Sequence, residues 1–321
     1  MKRALLAVLI LLAGCGSSGG DDATLDTIVY LTGVGVQGRE AYVQVAIDQG
    51  WFREAGFDVE IRPGNGTGQN LQLLQGGRAD FAAVDVAAAL IEYGKGTFTD
   101  FRIVSAVHQK TLACLMALDG SGITKPADLK GKRVAYIPGG VVRVLYEPYA
   151  ELAGADPNGV RWVTMPAQQM AQGLAAGSID AATQFVVGRP GVEAAAKGRS
   201  AVVLPYADIL PDLYGNGLAV TRKATEDPER IRRFTAVMLR GLEYAVDHPA
   251  EAGATLAKHQ STQPAAVAAK ELELMRPYVR PLGSFDQAKV DRGVAVMQSA
   301  GAVPAGFDAG QVIAYDLAPK G

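Results

Sequence analysis

Two glycine-rich turns and one aspartate carry the residue types best suited to holding a small molecule. Gly33, Gly35 and Gly38 follow a β-rich run, TIVYLT, and precede a helical pattern. Together they spell G-x-G-x-x-G, with Gln37 inside the turn. That is the form of the dinucleotide fingerprint, which also needs an acid at the end of the next strand. This chain has Arg62 and Pro63 there, so the turn is read as a ligand loop or as a plain strand-to-helix turn. Gly64, Asn65, Gly66 and Thr67 open the next helix. No P-loop lysine follows them, which argues against a nucleotide triphosphate. A ligand loop and a helix cap by Thr67 are the two readings. Asp85 ends an apolar run, ADFAAV. A carboxylate at the tip of a core strand is costly unless it is paired. It can accept N–H bonds from an amino-substituted heterocycle and would repel nitrate or a sulfonate. Capping the helix that starts at Val86 is the competing role.

Further along, Gln109 and Gln184 sit at or beside strand ends, where amides suit a neutral heterocycle that both donates and accepts. Gly139, Gly140 and Val141 begin a helix and mirror the earlier glycine turns. Arg143, on the first turn of that helix, reads as solvated rather than as a partner for an anion. Phe185, Tyr214 and Asn216 either close over a planar ring or serve packing and turns. His108 reads as structural. The chain has 3 histidines and no cluster of His, Cys and carboxylates, so there is no metal signature. No Ser/His/Asp constellation stands out, and no catalytic residue, metal or cofactor is assigned.

These residues need a frame that brings them together. From Thr27 to Asp85 the pattern is strand, glycine turn, helix, strand, glycine turn, helix, strand. Tyr42, Val43, Val45, Ala46 and Ile47 give one buried helical face over 39–51. Two β-α-β units in series imply parallel strands whose C-terminal ends share one edge. Small molecules bind at that edge in open α/β sheets. The turns at 33–38 and 64–67 and Asp85 should therefore converge on one crevice. The pattern returns at RVAYI, followed by Pro138, Gly139 and Gly140 and a helix over 141–152 that Pro148 should bend. After Thr221 only helical patterns follow. One, over 228–247, buries Ile231, Phe234, Val237, Met238, Leu242 and Ala245, with Asp227 or Thr225 as its cap. Others are expected over 250–259, 264–275, 286–299 and 309–316. The fold class is α/β, with two doubly wound lobes and a helical C-terminal tail that packs back on the first lobe. The chain should cross near 113–118 and return near 217–221. That gives lobe 1 as 26–115 plus 219–321, and lobe 2 as 116–218.

The start reads as a processing signal. Lys2 and Arg3 precede an apolar run over 4–13 that is too short to span a bilayer. It ends Leu12, Ala13, Gly14, Cys15, which looks like a bacterial lipoprotein signal, with cleavage after residue 14 and a lipid on Cys15. An ordinary signal peptide with a chance cysteine is the alternative. GSSGGDD then reads as a flexible tether, 15–25 in all. Removing Lys2 and Arg3 takes the formal charge from −2 to −4. No basic run is present, so nucleic acid is not an expected partner. Cys114, in LACLMAL, reads as a buried inert thiol.

Several stretches, taken in order, resemble the substrate-binding lipoproteins of bacterial ABC importers, in the branch of thiamine-pyrimidine and alkanesulfonate receptors. They are AIDQGWFREAGFDV at 46–59, LQGGRAD at 74–80, DLKGKRVAY at 128–136 with the turn after it, LAAGSID at 174–180, and 228–249. The resemblance implies a type II periplasmic-binding-protein fold, with two lobes joined by two crossover strands. It implies a monomer that grips a solute between its lobes, performs no catalysis, and delivers the solute to a permease with its ATPase. Asp85 and the two glutamines favour a planar nitrogen heterocycle, such as a thiamine pyrimidine precursor or a flavin. A sulfonate, taurine or nitrate receptor is the alternative. A pyrimidine-synthesising enzyme of related fold is a reading of another class; the secretion signal and the lack of a cysteine-rich stretch speak against it. A surface adhesin or sensor is the third.

Overall fold

A computed structural model describes residues 24–138 and 140–320. The expectations for the signal segment, for Cys15 and for Gly139 lie outside the described residues. The first third contains β1 (Asp26–Leu31), α1 (Ala41–Asp48), α2 (Trp51–Glu54), β2 (Phe57–Arg62), α3 (Thr67–Gln75), β3 (Phe81–Asp85), α4 (Val86–Gly94) and β4 (Arg102–Ala106). The middle contains β5 (Ala113–Leu118), β6 (Arg133–Tyr136), α5 (Val141–Val144), α6 (Tyr146–Leu152), β7 (Arg161–Thr164), α7 (Ala167–Ala176), β8 (Ala181–Phe185), α8 (Arg189–Ala195) and β9 (Ala201–Pro205). The chain ends with β10 (Asn216–Val220), α9 (Pro228–Asp247), α10 (Pro249–His259), α11 (Ala265–Met275) and α12 (Gln287–Ser299).

The first sheet has the order β2-β1-β3-β10-β4, and the second repeats it as β7-β6-β8-β5-β9. The β-α-β units pair in parallel, as their patterns require. The fourth strand of each sheet, β10 or β5, runs antiparallel. Each of these two strands follows directly on a change of sheet. β5 belongs wholly to the second sheet and β10 wholly to the first. The chain therefore crosses within 107–112 and returns within 206–215, a few residues before each place read from the sequence. An apolar strand pattern marks a strand but carries no information about which sheet receives it.

Two helical runs break where the sequence reading did not put the break. Gly50, left-handed at φ +75, separates α1 from α2. The chain bends at Leu145 rather than at Pro148. Pro148 then falls in the first turn of α6, where a missing N–H removes no helical bond. The pattern over 309–316 yields only one 3-10 turn, Ala309–Gln311.

The tail packs on the first sheet. Phe234 of α9 lies 3.9 Å from the Phe81 ring and 5.0 Å from Phe52, with Tyr30 and Phe57 completing the cluster. Asp227 caps α9 by accepting the Arg230 N–H at 3.0 Å, while the Thr225 hydroxyl donates to the Arg222 carbonyl instead. Backbone bridges from Gly283 to Ala106 and from Ile313 to Ile103 fasten both ends of the last segment to β4. α11 reaches the other lobe, against the turn Val186–Gly188 and α8. Cys114 is fully buried, and burial pushes its thiol well above the usual range, as an inert packing residue requires.

Candidate functional site

The C-terminal ends of β1 and β3 face those of β6 and β8 across a cleft of about 680 Å³. The first-lobe wall is polar. It presents Gly33, Val34 and Arg39, then Asn65, Gly66, Thr67 and Gln69, then Asp85 and Glu92. The second-lobe wall is largely apolar, with Ile137, Pro138, Val141, Pro166 and Phe185 beside Gly140 and Gln168. His108, Leu112 and Gly215, from the two crossing segments, and Asn216, the first residue of β10, line the cleft between the walls.

The two glycine turns are zipped together. The Gly35 N–H donates to the Gly64 carbonyl and the Gly66 N–H to the Gly33 carbonyl, both at 2.9 Å. Asn70, fully buried on α3, fastens both turns to β3. Its amide nitrogen donates to the carbonyls of Thr32 and Ala83 at 2.8 Å, and its oxygen accepts the Asn65 N–H at 3.2 Å. Glu40, also buried, accepts the Gly33 N–H at 3.2 Å. Burial raises the Glu40 pKa, and the neighbouring Arg39 opposes that rise.

Asp85 caps α4: its Oδ1 accepts the Ala88 N–H at 3.0 Å. It also lines the cleft while only 7% exposed, so both roles weighed for it meet in one side chain. Burial pushes its pKa up to about 7, against the pull of the Ala88 and Ala87 N–H groups. Among the described residues no cation pairs with it. Thr67 does not cap α3; its hydroxyl oxygen accepts the Asp85 backbone N–H at 3.0 Å and so ties the second glycine turn to the end of β3.

Arg39 and Asn70 escaped the sequence reading. Arg39 curls back from its helix start. It donates to the Val34 carbonyl at 2.9 Å and to Gln37 Oε1 at 3.1 Å, and it lies 3.8 Å from Glu40. Across the gap its guanidinium stands 5.8 Å from the Phe185 ring. Its position directly after Gly38 was the available signal. For Asn70 the signal was an amide on the buried face that also carries Leu71 and Leu74. His108 accepts the Asn216 N–H on Nδ1 at 3.1 Å and faces the Met275 sulfur with Nε2 at 3.2 Å. Burial, and then the charge of Arg39, push its pKa down to about 3, so the ring is neutral.

Of the expected site residues, Gly33, Asn65, Gly66, Thr67, Asp85, Gly140, Val141, Phe185 and Asn216 line the cleft. Six others do not. Gly35 is the left-handed pivot of its turn, at φ +60. Gln37 is turned to Arg39. Gly64 is packed so tightly that a Cβ would stand 1.9 Å from the Thr32 carbonyl oxygen. Gln109 donates its side-chain amide to the Ser284 carbonyl at 3.1 Å, away from the cleft. Gln184 neighbours Phe185 on β8 and so points to the opposite face, towards Gly188. Tyr214 accepts the Asp286 N–H at 2.9 Å and packs on Phe285. Arg143 lies 4.3 Å over the Trp162 ring rather than in the cleft.

Among solved structures, the periplasmic aliphatic sulphonate binding protein of Escherichia coli matches with a TM-score of 0.72 and 19% identity, over 90% of this chain and 92% of that one. The periplasmic nitrate-binding protein of Synechocystis matches with a TM-score of 0.74 and 14% identity, over 91% and 87%. The architecture is thus the two-lobed periplasmic-binding-protein fold. A Bacillus subtilis protein named for binding aliphatic sulfonates is 25% identical over 264 residues, 78% of this chain and 76% of its own length. The formylaminopyrimidine-binding protein of Halalkalibacterium halodurans is 25% identical over 253 residues, 77% and 75%. These relatives are solute-binding proteins, not enzymes. The sequence profile of the NMT1/THI5-like family matches residues 39–252, well over half the chain, and this chain belongs to that family.

Proposed function

We propose that this chain is the solute-binding lipoprotein of an ABC importer, anchored outside the cytoplasm through a lipid on Cys15. It closes its two lobes on a small planar nitrogen heterocycle and hands it to the permease. The observation that carries the choice of ligand is Asp85. A buried carboxylate that faces the cleft without a cationic partner calls for a ligand that donates N–H bonds. Among the described residues, the one arginine lining the cleft is already held by Val34, Gln37 and Glu40. The opposite wall, with Phe185, Ile137 and Val141, suits a flat apolar face. A second reading has its own observation. α3 and α7 both begin in the cleft without side-chain caps, as an oxyanion site would have them.

Calorimetry with 4-aminopyrimidine, riboflavin, methanesulfonate, taurine and nitrate separates the two. The proposal expects binding of the heterocycles and, for Asp85→Ala, affinity lower by about tenfold or more, because a hydrogen bond to a charged group is worth about 1.5–3 kcal/mol. Binding of the anions alone, or an Asp85→Ala variant with unchanged affinity, overturns it.

A further inference from the structure

We infer that the solute is taken up as a planar monocation, a protonated nitrogen heterocycle held by an excess of buried negative charge around the cleft. This rests on the heterocycle reading above and adds the charge that the ligand carries. Four ionisable side chains sit in or directly behind the first-lobe wall, and all are more than nine-tenths buried: Arg39 at 7% exposure, Glu40 at 2%, Asp85 at 7% and Glu271 at 3%. One is a cation and three are carboxylates. Glu40 stands 3.8 Å from the Arg39 guanidinium. Glu271, on α11, accepts the Arg39 backbone N–H at 3.2 Å and the Gln263 side-chain amide at 3.3 Å, both neutral donors. The Arg39 charge acts on Glu271 too, so one guanidinium serves two carboxylates. Asp85 has only the neutral N–H groups that start α4. Burial raises the pKa of all three acids, as it should where negative charge is under-compensated.

The rest of the cleft does not repair the imbalance. The second-lobe wall has no charged side chain among its described residues. Glu92 adds a carboxylate to the first-lobe wall, paired with Lys95 at 3.6 Å. His108 is neutral, with Nδ1 taken by the Asn216 N–H. The starts of α3, α4 and α7 each bring about half a positive charge, which leaves the balance negative. Such charges act strongly where little water screens them. An anion would add to the imbalance, and a neutral ring would leave it unanswered. A flat cation answers it. Its charged N–H groups can donate to Asp85, and the Phe185 ring gives it a favourable face. Glu40 and Glu271 are positioning residues: they act on the solute through their field and not by contact.

The test is calorimetry on the full chain at pH 8 with a matched pair. 4-Aminopyridine is a cation there, and 4-aminopyrimidine has nearly the same shape and is neutral. The cation should bind at least tenfold more tightly. Glu271→Gln keeps the shape and an acceptor oxygen and removes one charge. It should shrink that ratio by about threefold or more, whereas a merely structural role would weaken both ligands alike. Should Glu271→Gln fail to fold, Glu40→Gln is read on the same terms. Equal binding of the pair, tighter binding of 4-aminopyrimidine, or a ratio that the variant leaves unchanged overturns the cation and leaves the heterocycle reading in place. Binding of methanesulfonate or nitrate without either heterocycle overturns both. No binding of 4-aminopyridine at millimolar concentration overturns the inference.

Discussion

Asp85 serves two masters, and pH separates them. Its folded pKa, about 7, lies above the ordinary carboxylate value of 3.8. The native state therefore keeps a proton that the unfolded chain releases. That contribution to stability is fully present below the ordinary value and is lost as pH rises through about 7. Asp85→Asn keeps an oxygen for the Ala88 N–H and removes the titration. We predict that the ligand-free variant melts above the wild type at pH 8 and converges with it at pH 4, as thermal unfolding would show. A ligand that needs the carboxylate should bind the wild type more tightly as pH rises through the same window, so binding and stability should slope in opposite directions. Asp85 was legible in the sequence because a strand end and a helix start meet at it. Gln109 and Gln184 were misread because an amide near a strand end does not reveal which face it takes. Arg39 acts by curling back onto its own turn, and Asn70 by reaching strands distant in sequence, which composition and spacing do not encode.

At the scale of elements, the repeated strand-turn-helix pattern foretold the parallel cores of both sheets, and the one-sided pattern of 228–247 foretold α9. Their aromatic join packs behind the first lobe's wall. Phe234 stacks on Phe81 directly behind the strand that ends in Asp85. We predict that Phe234→Ala costs about 3–5 kcal/mol in urea unfolding, the usual loss for a buried phenylalanine. A loss below about 1 kcal/mol would show that α9 is held mainly elsewhere. The antiparallel place of β5 and β10 was not legible. A continuous apolar run gives each strand, but pairing direction depends on where the chain returns from.

For the whole molecule, the lipid anchor and the cleft make separate claims. Cys15→Ser should leave the protein without incorporated palmitate and free of the membrane fraction, with solute affinity unchanged. Palmitate labelling of that variant would refute the anchor. The traded strands have a bearing on birth order as well. All five strands of the second sheet lie in one uninterrupted stretch of chain, whereas the first sheet lacks β10 until that stretch is complete. As the polypeptide is made from its N-terminus, the later-encoded half can finish its core alone, and the earlier half must wait with a vacant place between β3 and β4. A fragment stopping at residue 205 would leave that vacancy as two exposed edges, inviting aggregation.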